Sequence, residues 1–533
     1  MRALKIRSLV LVSVLALAAL GPQTASAGSF NAGPLVQVTG ASPFAGCTAD
    51  DVAGQPGTNF LNSEVEPWVD VNPTNPKNIA GSVQQDRWSN GGARGLVAGV
   101  SFNGGLTWQT VVIPNITLCS GGSAANGGDF QRATDPWLSF SPNGHLYQFS
   151  LALDIEPPPG RVGGFGKNAM LVSKSTDGGL TWSDPITVIR DENPRFLNDK
   201  NSITADPTDS NFVYAVWDRL RLGVGDVINP ELVPGNLAFK GAAMFSRTTD
   251  GGQTWEPARV IYDPGAIAQT LGNQIVVLPN GTLVDFFNEI LGARNDEGPG
   301  PFNLSLVRST DKGATWTHGP AIRAAKMFPR ALFVPGCCGV YDPETGDPVR
   351  TQDLIPEVAV DPANGNLYAV WQDARFSNNG DFSDPSLMID EVAFSMSTDG
   401  GFTWSAPIKV NNTPTNIALG NRQAFIPSVD VAADGTIAVT YYDFRNNDGG
   451  ADLKTDYFVV HCHPTAGCTS PGNWGDEIRL TSTSFDMRQA PLARGFFVGD
   501  YEGLASDGND FVAFFSQPHG SDPASVFFRR VGP

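Results

Sequence analysis

Four places in the chain set an acid next to, or one residue away from, an arginine at the end of an apolar alternating segment: Asp86 with Arg87, Asp218 with Arg219, Asp373 with Arg375, and Asp443 with Arg445. A carboxylate only accepts hydrogen bonds, and a guanidinium is a planar fork of donors. Such pairs gathered around one centre would grip an anionic or hydroxyl-rich ligand through bidentate bonds. The same pairs, being repeated, would serve equally well as ion pairs that lock a scaffold. A second set breaks the repetition and so is better suited to chemistry: Glu289, Arg294, Arg330, Arg422, Arg494, Asp500, Tyr501 and Glu502. From the two sets, Asp86, Glu289, Asp373 and Asp443 are candidate acids or bases, and Tyr501 is the candidate nucleophile. Arg87, Arg219, Arg375, Arg445 and Arg494 are the candidate substrate contacts. Tyr501 and Glu502 are neighbours in an extended segment and point to opposite faces, so a base for Tyr501 has to come from elsewhere.

The elements that position these residues recur. A strand, a tight turn and a second strand are read at residues 67–87, 136–154, 202–219, 275–289, 356–375 and 427–445, with a shorter version at 501–517. Asn143-Gly144, Asn280-Gly281, Asn364-Gly365, Asp434-Gly435 and Asp507-Gly508 are the turn dipeptides that join two strands closely. Between these segments stand SFNGGLTW (101–108), STDGGLTW (175–182), TTDGGQTW (248–255), STDKGATW (309–316) and STDGGFTW (397–404). In each, hydroxyl and carboxylate oxygens can accept from nearby backbone N–H groups, glycine takes positive φ, and tryptophan covers an apolar face. Recurrence at intervals of roughly 60 to 90 residues marks one structural unit used many times.

The phrase resembles the Asp-box, or BNR repeat, of the sialidase-like β-propellers. That resemblance implies an all-β propeller whose Asp-boxes lie in outer turns, away from the active site, and are structural. Counting the strand pairs gives seven four-stranded blades, with six, as in typical sialidases, the alternative. The segment LVQVTGAS (35–42) reads as the missing outer strand of the last blade, pairing with the strand at 525–530 and closing the ring. The long insertions, at 155–166, 220–240, 291–301, 324–353, 376–390 and 446–455, fall on the face opposite the Asp-boxes, where a ligand funnel is expected. Sialidases resembling this fold use three arginines on the substrate carboxylate, an Asp acid/base and a Tyr nucleophile activated by a Glu. The family's Arg-Ile-Pro motif is absent, however, and EPWVD (66–70) stands in its place.

Residues 1–27 combine Arg2, Lys5 and Arg7 with an apolar run and an Ala-Ser-Ala end, the pattern of a cleaved signal peptide ahead of a single domain over 28–533. A net charge of −19 opposes nucleic acid and anionic membranes, and no further apolar run is long enough to enter a bilayer. The expectation is a secreted monomer, extracellular or periplasmic, with no cofactor. Six cysteines fit an oxidising compartment. Cys462 with Cys468 and Cys47 with Cys119 are the expected bridges, and the adjacent Cys337 and Cys338 either join each other or stay as thiols. Because Cys468 claims Cys462, the His461 to His463 stretch is read as holding no metal. Two functions stand side by side: a carbohydrate-active enzyme, either a sialidase-like glycosidase or a polysaccharide lyase, and a non-catalytic propeller that binds a glycan or protein at the cell surface. Asymmetry among the funnel carboxyls separates them, since catalysis needs an acid and a base in different environments.

Overall fold

A computed structural model of the protein describes residues 29–156, 165–222, 240–266, 268–292, 302–334, 338–351 and 353–533. Residues 1–28, Arg294, Cys337 and most of the insertions 155–166, 220–240 and 291–301 lie outside the described residues. The chain is all-β; among the described residues its only helical pieces are short 3-10 turns.

The strands pair antiparallel in successive groups. The first group is Glu64–Val71, Ile79–Arg87, Ala93–Ser101 and Gln109–Val112; the second is Arg132–Phe140, Leu146–Leu153, Asn168–Ser175 and Ile186–Asp191. The third starts at Phe196–Ala205, the fourth at Ala268–Val277, the fifth at Glu357–Val360 and the sixth at Ala424–Val431. The last comprises Gly503–Asp507, Asp510–His519 and Asp522–Gly532, and it receives its remaining strand from the other end of the chain. Val36 pairs with Phe528 and Gln37 with Phe527, Val38 N–H donates to Val526 at 2.8 Å, and Asn31 pairs with Gly532. This is the pairing expected for residues 35–42.

The first strand of each group packs against the first strand of the next, and that of the last packs against that of the first. The apolar cores have the same order. Val97, Phe514 and Phe528 join the first and last groups, Leu96 and Leu171 the first and second, and Phe149 and Trp217 the second and third. Period-two alternation therefore has its side chains buried on both faces, which is why the strands read as nearly continuous apolar runs.

The five recurrent phrases fold into one turn. In the second copy, Ser175 Oγ accepts from Gly179 N–H at 2.9 Å and Asp177 Oδ1 accepts from Thr181 N–H at 2.9 Å. Trp182 Nε1 donates to Gly179 O at 3.0 Å. Each turn also grips the preceding group. Lys174 Nζ donates to Gly251 O at 2.6 Å, and Arg247 and Arg308, at the same strand position, donate to Lys312 O and Gly400 O. In the first turn Gly105 has φ 91°, and a Cβ there would collide with the Phe528 ring of the last group. Glycine is thus required both by φ and by close approach. Cys47 is bonded to Cys119 and Cys462 to Cys468, as expected, and no described cysteine is free.

Because the segment 29–42 supplies a strand and part of a core to the last group, its deletion should expose an edge and remove Val38 from its cluster. Thermal unfolding is expected to show a fall of at least about 5 °C. An unchanged transition would contradict the role given to this pairing.

Candidate functional site

The first strands carry a repeated irregularity. The pairing register slips between Val65 and Trp68, Thr134 and Trp137, Asp199 and Ser202, Leu271 and Gln274, and Phe425 and Ser428. At each slip one residue takes positive φ: Glu66 at 54°, Asp135 at 51°, Lys200 at 48°, Gly272 at 72° and Ile426 at 48°. A bulge of this kind re-aims a side chain, and the proline that follows Glu66, Asp135 and Ile426 has no N–H to leave unpaired. Holding non-glycine residues there costs on the order of 1 kcal/mol or more each and is over-determined by the surrounding ladder.

In three consecutive groups the re-aimed residues are charged, and they meet. Lys200 Nζ lies 2.6 Å from Asp500 Oδ2, 3.6 Å from Asp135 Oδ1 and 3.9 Å from Glu66 Oε1. Arg350 Nη2 donates to the same Asp500 oxygen at 2.8 Å. Thr134 Oγ1 donates to Asp135 Oδ1 at 2.9 Å, and Gln84 Nε2 donates to Glu66 Oε2. Arg87 completes the set: its guanidinium and that of Arg350 lie over the Phe497 ring at 4.9 and 4.4 Å. Glu66 and Asp135 are only 1% and 2% exposed, so solvent screens little of this field. The fourth and sixth groups present Gly272 and Ile426 instead, and Ile355 packs on Gly272. One side of the centre is therefore charged and the other apolar.

Burial and charge drive the carboxyl groups apart. Burial pushes Glu66 well above the usual carboxylate range, with Lys200 only partly opposing it. Burial acts on Asp135 too, but there Lys200 wins and the carboxyl is depressed. Asp500 is held below its ordinary value against burial by Arg350 and Lys200. Burial lowers Arg87 to about 10, aided by Arg350. One carboxyl is thus pushed toward its protonated form beside two pushed toward ionisation, the asymmetry that separates a proton donor from a proton acceptor or an electrostatic stabiliser.

Two chain-distant connections pack over this centre. Val349–Arg350 pairs in parallel with Phe496–Phe497, and Phe497 is buried with Val65, Ala493 and Ala524. This ribbon belongs to the connections between the fourth and fifth groups and between the sixth and last.

Of the sequence candidates, the structure brings Arg87, Asp500 and Tyr501 to the centre. Tyr501 is buried against Trp137 and Trp68, its hydroxyl donates to Pro136 O at 3.3 Å, and burial, with Glu66 and Asp135 nearby, holds the phenol well above its ordinary value. The others sit in separate networks. Asp86 accepts from Ser42 Oγ at 2.6 Å and Asn62 N–H at 2.9 Å, anchoring the segment before the first group. Arg219 pairs with Asp191 at 2.6 Å, Arg375 with Asp373 at 2.6 Å, and Arg445 with both Asp443 and Glu477. Glu289 accepts from Arg323 at 2.8 Å and from Tyr262. Arg494 is exposed on the segment leading to Phe496 and has φ 68°. The acid–arginine motif therefore makes a local clamp at Asp373 with Arg375 and Asp443 with Arg445, while Asp218 turns to Thr270 and Gly272 and Asp86 to Ser42, and no shared ring forms. Sequence reasoning missed Glu66, Asp135, Lys200 and Arg350. The signal was a charged residue immediately before the proline, or the aligned asparagine, that opens three successive phrases: EPW, DPW and DKN.

Among the described residues, one group of His, Cys, Asp and Glu side chains is compact enough to hold a metal: Cys47, Asp50 and Cys119. Its two sulfurs are bonded to each other, and Asp50 is taken by Arg94 at 2.8 Å. The site does not fit a metal.

No family model matches the chain. It is 27% identical over 297 residues to a xyloglucanase of a Paenibacillus species, covering 54% of this chain and 22% of the relative. It is 27% identical over 217 residues to a sialidase of Micromonospora viridifaciens, covering 37% and 31%. The chain thus matches less than a third of the length of either relative. Among solved structures, a Dyadobacter fermentans protein of unknown function aligns with 95% of this chain and 99% of its own at 14% identity, with a TM-score of 0.45. The sequence similarity to glycosidases is distant and spans both kinds.

The buried carboxyls also set the pH response. Burial raises Glu64 and Asp218 to about 8, and Asp70 and Asp199 to about 7. With unfolded values near about 4, the folded chain holds protons that the unfolded chain releases, so stability falls as pH rises from about 4 through about 8. Asp500, being depressed, acts in the opposite sense and loses its contribution as pH falls below about 4. Calorimetry should give a higher melting temperature near pH 5 than near pH 8; the reverse order would contradict the burial argument.

Proposed function

We propose that the protein is a secreted, carbohydrate-active hydrolase in which residues 28–533 form a single seven-bladed β-propeller closed by the N-terminal strand. In this reading the strand groups are the blades, the recurrent turns are Asp-boxes at their outer corners, and glycan cleavage takes place at the Glu66, Asp135 and Asp500 centre. The observation that carries it is the gathering of Glu66, Asp135 and Asp500 around one buried Lys200; burial raising Glu66 while Lys200 lowers Asp135 gives the two carboxyls the unequal character that glycoside hydrolysis asks of an acid and its partner. Glu66 gives its proton to the leaving oxygen, ionised Asp135 beside it stabilises the positive charge that develops at the anomeric carbon, and the water that then adds there returns a proton to Glu66. Lys200, Arg350 and Arg87 fix the carboxylates and balance their charge. Tyr501 serves as an apolar wall, since its surroundings oppose the ionised phenol that a nucleophile needs. Asp86, Glu289, Asp373, Asp443, Arg219, Arg375 and Arg445 become scaffold pairs, and Arg494 remains a substrate-contact candidate beside the ribbon. Similarity to a xyloglucanase and a sialidase supports a glycan substrate and leaves neutral and sialylated glycans both to be tried.

A second reading is favoured by one observation: the Arg350 and Phe497 ribbon packs over the centre and leaves its carboxyls buried. A protein that binds glycans without chemistry would have this arrangement, the charges serving to join the blades.

Screening the purified protein on sialosides, aryl glycosides, xyloglucan, arabinan and uronate polysaccharides decides between them. On a substrate that is turned over, Glu66→Gln and Asp135→Asn should each lower kcat by about 10²- to 10⁴-fold with an unchanged circular dichroism spectrum. Full activity in both variants would refute the site. Glycan binding with no turnover on any substrate would establish the second reading.

A further inference from the structure

A second feature lies outside the centre. A cleft of about 730 Å³ opens where residues 51–56 meet the ends of the second group's strands. All four strands contribute at that edge. Asp129 and Gln131 precede the first strand, Asp154 follows the second, Lys167 precedes the third, and Arg190 lies near the end of the fourth. The volume is that of a small-molecule site, about 300 to 1,000 Å³.

The polar groups in the cleft are held in place before any ligand arrives. Arg190 makes a two-pronged contact with Asp129 at 2.8 and 3.0 Å. Lys167 reaches Asp129 at 2.9 Å and Asp154 at 3.4 Å. Hydrogen bonds from Arg190, then from Lys167, hold the Asp129 carboxyl below its ordinary range. Both cations lie over the buried Phe130 ring, at 4.8 and 5.3 Å, which fixes their stems. Yet the side chains of Asp129, Asp154, Lys167 and Arg190 remain 21% to 27% exposed. They form a fixed array of alternating donors and acceptors that solvent still reaches.

Such an array suits adjacent hydroxyl groups, each of which donates and accepts, and its rigidity removes much of the ordering cost of binding. The charge narrows the choice. Five carboxylates line the cleft against two cations, and both cations are already paired. An anionic sugar would meet net repulsion, while a neutral or amino-substituted one would not. We propose that this cleft binds a neutral or amino-substituted oligosaccharide, at a site distinct from the Glu66 centre. Gln131 and Asp135 are four residues apart along the chain, at most about 13 Å. The inference does not depend on the centre being catalytic.

Calorimetric titration of the full protein with cellohexaose, a glucosamine hexamer and sialyllactose tests it. Saturable binding of cellohexaose or the glucosamine hexamer is expected, with Kd raised at least about tenfold in Arg190→Ala and in Gln131→Ala, and sialyllactose giving no heat. Glu66→Gln should leave this Kd within about twofold. Because Gln131 sits at the cleft edge without an ion-pair role, Gln131→Ala keeps the test valid if Arg190→Ala fails to fold. Absence of binding by both oligosaccharides, binding of sialyllactose that Arg190→Ala abolishes, or loss of binding in Glu66→Gln but not in Gln131→Ala would each overturn the assignment.

Discussion

The centre of the molecule depends on one buried ammonium. Lys200 is 6% exposed and has three carboxyl groups around it, so each must be either paired or protonated. Taking an ion out of water costs several kcal/mol, and only close partners return it. Lys200, with Arg350 at Asp500, depresses Asp500 and Asp135, whereas at Glu66, 3.9 Å away, burial prevails and raises the carboxyl. The inequality of the carboxyls thus follows from how much each gains from Lys200, Arg350 and its hydrogen bonds against the same burial. It also explains why Arg350 reaches in from a connection to meet Asp500: with one Lys for three acids, the centre is short of positive charge.

The rest of the structure serves to hold that centre in register. Residues as far apart as Glu66 and Asp500 meet only if the last strand group is adjacent to the first, and several separate contacts fix that adjacency. The Val36 and Phe528 pairing, the Gly105 turn against Phe528 and the Ser516 hydrogen bond to Glu64 O at 2.9 Å all join the two ends of the chain. The recurrent turns do the same between other neighbours through Lys174, Arg247 and Arg308. A slip of one residue in any first strand would turn its bulge residue away from the centre.

The periodic part of this arrangement was legible from residues alone. The strand–turn–strand phrases, the turn dipeptides and the self-bonded S/T-x-D-x-G-x-T-W turns fall where read, because each is a local pattern whose side chains bond within a few residues. So does the pairing of residues 35–42, whose alternation matches the outer strands. The centre was not read, for a physical reason: a bulge reverses the face to which the following side chains point, and strict alternation does not anticipate it. Alternation therefore directed attention to Asp373 with Arg375 and Asp443 with Arg445, which face each other locally, and away from Glu66 and Asp135. Asp373 with Arg375 and Asp443 with Arg445 are real ion pairs, and a guanidinium satisfied two residues away has little left for a shared ligand.

The central claim is that Glu66 is protonated at neutral pH beside ionised Asp135 and Asp500. The difference infrared spectrum between the wild-type protein and Glu66→Gln at pH 7 measures this directly. Loss of a protonated carboxyl C=O band, with the carboxylate bands unchanged, is the expected result. Loss of a carboxylate band without a C=O change would contradict the account, since Glu66 would then be ionised and the asymmetry on which the proposed chemistry rests would not exist.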